Sequence, residues 1–338
     1  DERPEVIVSL NDGFLYAFDA DAETLWRFDY RHGHPVMYAS EPTVADLNQD
    51  GSPEVLIATY GAPDVDDSGR LIVLAADGSS LHDIALPNPG RNGNGNGAPA
   101  APSVGDLDGD GDNELLGVPN VEMHEPYETQ AYAVMVLEGA YGDGSRSAMR
   151  LPGWEELPRG ERPISVDGWY PPNGVPAAVS VNVQGDGRPE ILVSLNDGFL
   201  YAFDADAQFL WRFNYTHGRP VMYASEPVVA DLNQDGSPEV LVATYGAPDV
   251  TDSGNLLVLA ADGTLLHDIP LPNPGNNGNG NGAPAAPTVG DLDGDGELEI
   301  FVQTFDHGMD VFTVPGSGDA CLPWATARGG PLRVGQPN

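Results

Sequence analysis

The chain has 338 residues, enough to bury a large core in one or two domains. It contains 42 Gly and 31 Pro and no long stretch rich in helix-forming residues, so an all-β fold of many short strands joined by turns is predicted. The 14 Lys and Arg against 52 Asp and Glu give a net charge of −38, which repels phosphate backbones and anionic lipid surfaces. Nucleic acid is therefore excluded as a partner. Membrane insertion is not expected either, because no apolar run approaches the roughly 20 residues of a membrane span.

This excess of carboxylates destabilises a compact state unless cations neutralise part of it, so bound metal is expected. The single cysteine, Cys321, excludes an internal disulfide. We expect it to be a small buried residue rather than a handle for an intermolecular bond.

The chain contains a long internal repeat. At an offset of 185, residues 1–115 align with residues 186–300 with few mismatches. Each copy contains smaller units, of which residues 41–86 are typical: the runs EPTVADL, EVLIATYG, RLIVLAA and SLHDIAL read as four short strands separated by Gly, Asp and Pro. Four-stranded units of this length are typical of β-propeller blades.

The units predict a single β-propeller domain over residues 1–338 with six blades, or seven as the alternative. An insertion at about residues 150–175 lengthens the third unit. The first unit lacks an inner strand, and we expect the segment 321–338 to supply it and close the ring, because an unpaired edge strand invites aggregation.

An acidic motif, D-x-D/N-x-D-G-x-x-E, recurs along the units. Oxygen ligands at alternating positions can converge on one cation as the loop curls, while the glycine permits the tight turn, and calcium prefers six to eight such oxygens. The residue at position seven is expected to add its backbone carbonyl. The predicted metal ligands are Asp46, Asn48, Asp50, Ser52 and Glu54; Asp106, Asp108, Asp110, Asp112 and Glu114; Asp231, Asn233, Asp235, Ser237 and Glu239; and Asp291, Asp293, Asp295, Glu297 and Glu299.

A fifth copy comprises Asn182, Gln184, Asp186, Arg188 and Glu190 and replaces two carboxylates with amides, so weaker binding is expected there. About four strong Ca²⁺ sites and a fifth weaker one are therefore predicted. An EF-hand is excluded, because the last carboxylate comes at position nine rather than twelve and the flanking sequence is β-rich.

These motifs resemble the FG-GAP/VCBS repeats of integrin α propellers, and the tail from Cys321 to Asn338 is similar to the closing segment of secreted bacterial propellers. The Gly-Ala-Pro of that family recurs as Gly61 to Pro63 and Gly246 to Pro248. The resemblance implies that the calcium loops join blade strands 1 and 2, that calcium is structural, and that the protein is extracellular or on the cell surface.

If the calcium loops join strands 1 and 2, the long loops lie on the opposite face, where a protein or glycan ligand is expected to bind. The candidate ligand-binding residues are His32, His34, Tyr38, Glu122, His124, Trp169, Tyr170, His217 and Tyr223. Trp26 and Trp211 lie on predicted outer strands and are interpreted as packing between blades.

The favoured function is a binding or adhesion module. The alternatives are a lectin-like carbohydrate-binding propeller and a polysaccharide-acting enzyme, a lyase or hydrolase. An enzyme is not expected, because the chain has no GxSxG elbow, HExxH motif or phosphate-binding loop. The sequence does not determine the oligomeric state.

Overall fold

The structure is a computed structural model that describes residues 4–34, 37–47, 50–61, 69–87, 97–124, 129–138, 149–156, 158, 177–219, 222–246, 254–272, 281–305, 308–318, 321–323 and 325, of which 122–124, 129–131, 177 and 281 as backbone only. All regular elements in these ranges are strands, as the all-β prediction requires. No helix in them has the length and hydropathy needed to cross a membrane. The chain divides into two compact units, Asp1–Arg159 and Gly160–Asn338, called the first and second units below.

The first unit contains four antiparallel sheets. Their strand orders are β1-β2-β3, β5-β6-β7-β8 with β4 also on β6, β9-β10-β13, and β11-β12. The strands are β1 (Val6–Ser9), β2 (Phe14–Phe18), β3 (Thr24–Asp29), β4 (Met37–Ala39), β5 (Thr43–Ala45), β6 (Glu54–Gly61), β7 (Arg70–Leu74), β8 (Ser80–Ala85), β9 (Ser103–Gly105), β10 (Glu114–Gly117), β11 (Asn120–His124), β12 (Thr129–Tyr132) and β13 (Met135–Leu137).

The second unit contains three sheets. Their orders are β14-β15-β16-β17, β19-β20-β21-β22 with β18 and β23 also on β20, and β24-β25-β26. The strands are β14 (Ala177–Val181), β15 (Glu190–Ser194), β16 (Phe199–Phe203), β17 (Phe209–Asn214), β18 (Met222–Ala224), β19 (Val228–Ala230), β20 (Glu239–Gly246), β21 (Asn255–Leu259), β22 (Leu265–Pro270), β23 (Asn281–Gly282), β24 (Thr288–Gly290), β25 (Leu298–Thr304) and β26 (Gly308–Val314).

The four strands predicted within residues 41–86 are present as β5 to β8, and each pairs antiparallel with the next. Their sequences explain this arrangement. The long central strand β6 is apolar on both sides and almost entirely buried, whereas β8 alternates exposed and covered residues in the manner of an outer strand. The repeat copy forms the same meander from β19 to β22.

The middle sheet of each unit is buried on both faces. Val55 and Ile57 pack with Leu15 of the preceding sheet, whereas Leu56 packs with Val104 and Leu115 of the following one. This follows from the two-residue period of a strand, which sends successive side chains to opposite faces. In the second unit, β20 packs in the same way between the sheets β14–β17 and β24–β26. In each unit, three sheets are therefore stacked face to face, and β11-β12 of the first unit is a further two-stranded sheet.

Some features differ from the sequence prediction. The long segment after Tyr30 contains β4, which pairs with the far half of β6, and β18 repeats this on β20. At the step between β4 and β5, Ser40 completes the ladder: its amide donates to the Ala58 carbonyl, and its hydroxyl accepts from the Ala58 amide. The predicted insertion includes Trp154, which is fully buried.

The predicted burial of Cys321 is wrong, because its side chain is exposed. The backbone anchors this segment instead: the Asp231 amide donates to the Cys321 carbonyl at 2.9 Å, and the Val289 amide donates to the Ala325 carbonyl at 2.8 Å. The rest of the predicted closing segment, residues 324 and 326–338, lies outside the described residues.

Candidate metal centre

Each of the five acidic motifs lies between the first and second strands of a sheet. They connect β5 to β6, β9 to β10, β14 to β15, β19 to β20 and β24 to β25. Each motif ends with its ninth residue as the first residue of the second strand, except that Glu299 is the second residue of β25. The fold therefore presents one acidic loop at the same end of five equivalent strand pairs.

The first residue of each motif, an aspartate in four loops and Asn182 in the fifth, holds the turn together. In the loop at 291, the Asp291 Oδ1 atom accepts a hydrogen bond from the Gly294 amide at 2.7 Å, and its Oδ2 atom accepts one from the Gly296 amide at 3.1 Å. Gly294 and Gly296 have φ angles of 79° and 91°, which glycine adopts without steric cost. The Asp106 loop has the same pair of bonds to Gly109 and Gly111.

The aspartate at motif position five accepts a hydrogen bond from the backbone amide of position seven. This bond is present in all five loops: Ser52 to Asp50 at 2.7 Å, Asp112 to Asp110 at 2.9 Å, Arg188 to Asp186 at 2.9 Å, Ser237 to Asp235 at 2.8 Å and Glu297 to Asp295 at 2.8 Å. Whatever its side chain, position seven therefore orients the neighbouring carboxylate. That explains why serine, acids and arginine are all found there.

The glutamate at position nine forms the buried base of each loop. Its Oε2 atom accepts a hydrogen bond from the amide of the second motif residue, at 2.7 to 2.9 Å. All five side chains are buried, with Glu114 only 1% exposed and the most accessible of them 4% exposed. A carboxylate placed at depth in this way requires compensation beyond one backbone hydrogen bond.

The pKa values of three of these glutamates are raised. Burial raises the pKa of Glu54, Glu190 and Glu239, and nearby motif carboxylates raise it further, while the backbone hydrogen bonds oppose the shift. Burial also raises the pKa of Asp108, with Asp110 and Asp106 adding to the effect. Without a cation, these groups resist carrying their charge.

Carboxylate oxygens converge in two loops. Ligand atoms of Asp106, Asp108 and Glu114 lie within 4.8 Å of one another, as do those of Asp291, Asp293 and Asp295. A cluster made only of hard oxygen donors fits Ca²⁺ better than a soft metal. The donor set, the close approach of the oxygens and the buried glutamate all fit a divalent cation held by oxygen.

Two loops differ from these. In the loop at 231, the Asn233 side-chain amide donates to the Glu239 Oε1 atom at 3.0 Å, so the two potential ligands bond to each other. In the loop at 182, the Arg188 guanidinium forms two hydrogen bonds with Asp206, of 2.7 and 3.0 Å, beyond the loop. Asn48, in the loop at 46, lies outside the described residues.

Two of the predicted ligand-face residues, Tyr38 and Tyr223, lie at the other end of the strands. Tyr38 pairs with Tyr60 near the end of β6, away from the acidic loop, and their ring centroids are 5.4 Å apart. Tyr223 and Tyr245 repeat this arrangement in the second unit. Tyr38 is half-buried, but Tyr223 is only 2% exposed, and burial raises its pKa well above the usual range.

The predicted histidines pack against the neighbouring sheet. His32 Nδ1 lies 3.5 Å from an Asp83 carboxylate oxygen, and His217 Nε2 lies 3.6 Å from an Asp268 oxygen. His34 follows in the same turn as His32, where its amide donates to the Arg31 carbonyl. Glu122 and His124 belong to β11, described here as backbone only, and Trp169 and Tyr170 lie outside the described residues.

Comparison with known proteins supports the repeat assignment. No curated protein matches the chain in sequence. Among solved structures, the rhamnogalacturonan lyase YesW aligns with a TM-score of 0.53 and 17% identity, over 99% of this chain and 56% of the lyase chain. BBS1N, in complex with ARL6DN, aligns with a TM-score of 0.52 and 13% identity, over 93% of this chain and 76% of its own. The Dos1 propeller aligns with a TM-score of 0.48 and 12% identity, over 93% of this chain and 66% of the Dos1 chain.

This chain thus spans about half of the lyase chain, and at these identities the likeness concerns the fold alone. The family model of the FG-GAP-like repeat matches residues 46–117 and 182–242, which contain four of the five acidic motifs and all or part of the strand that follows each of them. The chain therefore contains FG-GAP-like repeat sequence at residues 46–117 and 182–242.

Proposed function

We propose that the acidic loops bind Ca²⁺ and that the bound ions stabilise the sheets of an extracellular β-propeller. The observation that carries the proposal is the recurrence, in five acidic loops, of a buried glutamate that accepts the same backbone hydrogen bond. Bound ions would supply that charge at five places in a chain whose net charge is −38. Because the folded loops would bind calcium and the unfolded chain would not, calcium stabilises the native state.

Six blades remain our preferred architecture, with seven as the alternative. Apart from the two-stranded sheet β11-β12, the described residues form six sheets, and five of these six contain an acidic loop between their first two consecutive strands. The sheet β1-β2-β3 is the exception, as the missing inner strand of the first repeat predicts. Closure of these sheets into a ring is part of the proposal.

We propose a binding role for the domain, with a protein or glycan as ligand. A calcium-loaded stabilising role fits an extracellular setting, because low-affinity loops fill only where calcium is abundant. The end of the sheets opposite the acidic loops bears the longer connections, which on a rigid scaffold are the usual place for recognition. The similarity to a polysaccharide lyase extends to the fold, and fold alone does not transfer a reaction.

Equilibrium dialysis of the metal-free protein against Ca²⁺ tests the proposal. We expect about four ions to bind tightly and a fifth to bind weakly, one for each acidic motif. Asp291→Ala should remove one tight ion. Glu23→Gln, which removes an exposed carboxylate outside the motifs, is the matched control and should remove none. Absence of saturable uptake, or equal uptake by both variants, would contradict calcium binding at these loops.

A further inference from the structure

Two equivalent sheets of the repeat differ at their outer edges. At the offset of 185, Leu115 of β10 corresponds to Ile300 of β25. Leu115 is opposite Leu137 of β13, and Ile300 is opposite Phe312 of β26, so β13 and β26 are equivalent third strands. What lies beyond these third strands distinguishes the two units.

In the first unit, a short fourth strand covers the edge of β13. The Glu138 amide donates to the Met149 carbonyl at 2.9 Å, and the Leu151 amide donates to the Val136 carbonyl at 3.2 Å. Between them, Arg150 is opposite Leu137. Leu151 is 2% exposed, so the extended segment Met-Arg-Leu contributes side-chain burial as well as backbone hydrogen bonds.

In the second unit, β26 pairs only with β25 as far as the described residues extend. Its residues Met309 and Val311 are 63% and 47% exposed. An exposed strand edge with apolar side chains is a template for a further strand. Among the described residues, none fills the position that residues 149–151 fill in the first unit.

The neighbouring outer strands show the same asymmetry with identical residues. The sequence Leu-His-Asp-Ile occurs at residues 81–84 of β8 and 266–269 of β22. In β8, His82 and Ile84 are only 7% and 9% exposed. In β22, His267 is exposed and Ile269 is half-buried. Identical side chains are therefore covered in one copy and uncovered in the other.

The uncovered space is a cavity of about 440 Å³ between β22 and β26. Leu266, His267, Ile269, Phe312 and Val314 form its largely apolar lining, and Glu239 adds a carboxylate. We call this cavity, together with the outer edge of β26, the β26 groove. Its volume lies within the range of sites that hold small ligands or anchoring side chains.

We propose that the β26 groove docks an extended peptide segment of a partner protein, which adds to β26 as a fourth strand. The first unit indicates the chemistry of the partner: apolar side chains alternating with a basic one, as in Met149, Arg150 and Leu151. A basic residue in the partner peptide would also be attracted to this chain, whose net charge is −38. Strand addition uses backbone hydrogen bonds for affinity and alternate side-chain pockets for specificity. This inference rests on the proposed binding role, and the groove adjoins the acidic loop at 231, whose Asn233 and Glu239 belong to its lining.

Fluorescence polarisation with a labelled peptide, SAMRLPGW from residues 147–154, tests the proposal on the full chain. Saturable binding is expected. Thr313 occupies the position of Glu138, whose amide donates to the fourth strand, so Thr313→Pro removes that donor and should weaken binding about tenfold or more. Thr313→Val retains the amide and is the matched control. Leu266→Asp, at a side chain that is 45% exposed, should weaken binding comparably without affecting folding.

No saturable binding, or equal affinity for the wild type, Thr313→Pro and Leu266→Asp, would overturn the proposal. So would equal binding of a scrambled peptide, or self-association of the chain through this edge in place of peptide binding. Calcium uptake measured on the same samples separates the two proposals. Failure of the peptide with intact calcium uptake overturns the β26 groove alone, and peptide binding without calcium uptake overturns the calcium loops alone.

Discussion

The indole Nε1 of Trp211 donates a 2.9 Å hydrogen bond to the carbonyl oxygen of Ala261, in the turn between β21 and β22 of the adjacent sheet. Trp26 makes the same bond to Ala76 at 2.8 Å. Trp211→Phe keeps an aromatic body but removes the donor, so it should lower the free energy of unfolding by about 1 to 2 kcal/mol. Chemical denaturation in calcium measures this. An unchanged free energy of unfolding would show that the bond does not join the sheets.

The same indole packs over Gly263. A Cβ atom added there would lie 2.6 Å from a Trp211 ring carbon, and the backbone φ is +84°. Gly263→Ala should therefore destabilise the protein by about 2 kcal/mol or more, from backbone strain and displacement of the indole. Gly218 has a similar φ of +76°, and a Cβ atom added there would have no neighbour within 4 Å. Gly218→Ala therefore measures the backbone strain alone and should destabilise the protein less. Equal losses for both variants would argue against the indole contact.

The turn between β2 and β3 places Ala22 at a φ of 63°, and Ala207 repeats this at 61°. The corresponding turn between β7 and β8 has Gly78 in this place, at a φ of 82°. Ala22→Gly and Ala207→Gly should each stabilise the protein by up to about 1 kcal/mol. Glycine removes the steric strain of a positive φ in the folded state, and this gain exceeds the cost of the greater conformational entropy of the unfolded chain. Melting temperatures of the two single variants provide the measurement, and a decrease in both would contradict this reasoning.

The raised pKa values of Glu54, Glu190 and Glu239 predict the pH dependence of the metal-free protein. Each folded pKa lies above the ordinary value of 4.5, so the folded state retains protons that the unfolded state has lost. Stability should therefore fall as the pH rises from about 4.5 towards neutrality, and level off above the folded pKa values. Saturating calcium should reverse the slope, because a bound cation favours the charged carboxylates.

Melting temperatures of dialysed, metal-free protein between about pH 4 and pH 7 provide the test. The triple variant Glu54→Gln, Glu190→Gln, Glu239→Gln is the control and should flatten the profile. A metal-free melting temperature that rises steadily with pH would contradict burial as the cause of these shifts.

Much of the fold could be predicted because its signals are local. The runs around Val55 and Val240 are apolar on both sides, as a doubly covered strand requires, and Gly and Asp mark the turns that separate them. The resemblance to FG-GAP/VCBS repeats also predicted that the acidic loops join the first and second strands, as they do here. The hydrogen bond that the glutamate at position nine accepts from the amide of the second motif residue was not predicted, although all five motifs have a glutamate there.

What could not be predicted depends on distant partners. The three residues of β4 become a strand because the far half of β6 lacks a partner there, which no local pattern reveals. His32 was predicted on a ligand-binding face, but Asp83, its partner in the structure, is remote in sequence. Cys321 is exposed because backbone bonds from Asp231 and Val289 determine the path of its segment.

The most direct test of the calcium-loop account is a thermal melt of the purified protein in calcium and then in excess chelator, followed by return of calcium. We predict a large fall in the melting temperature on chelation and its recovery when calcium is restored, because the ions compensate buried glutamates in several sheets at once. A melting temperature that does not change on chelation would contradict a structural role for calcium in this protein.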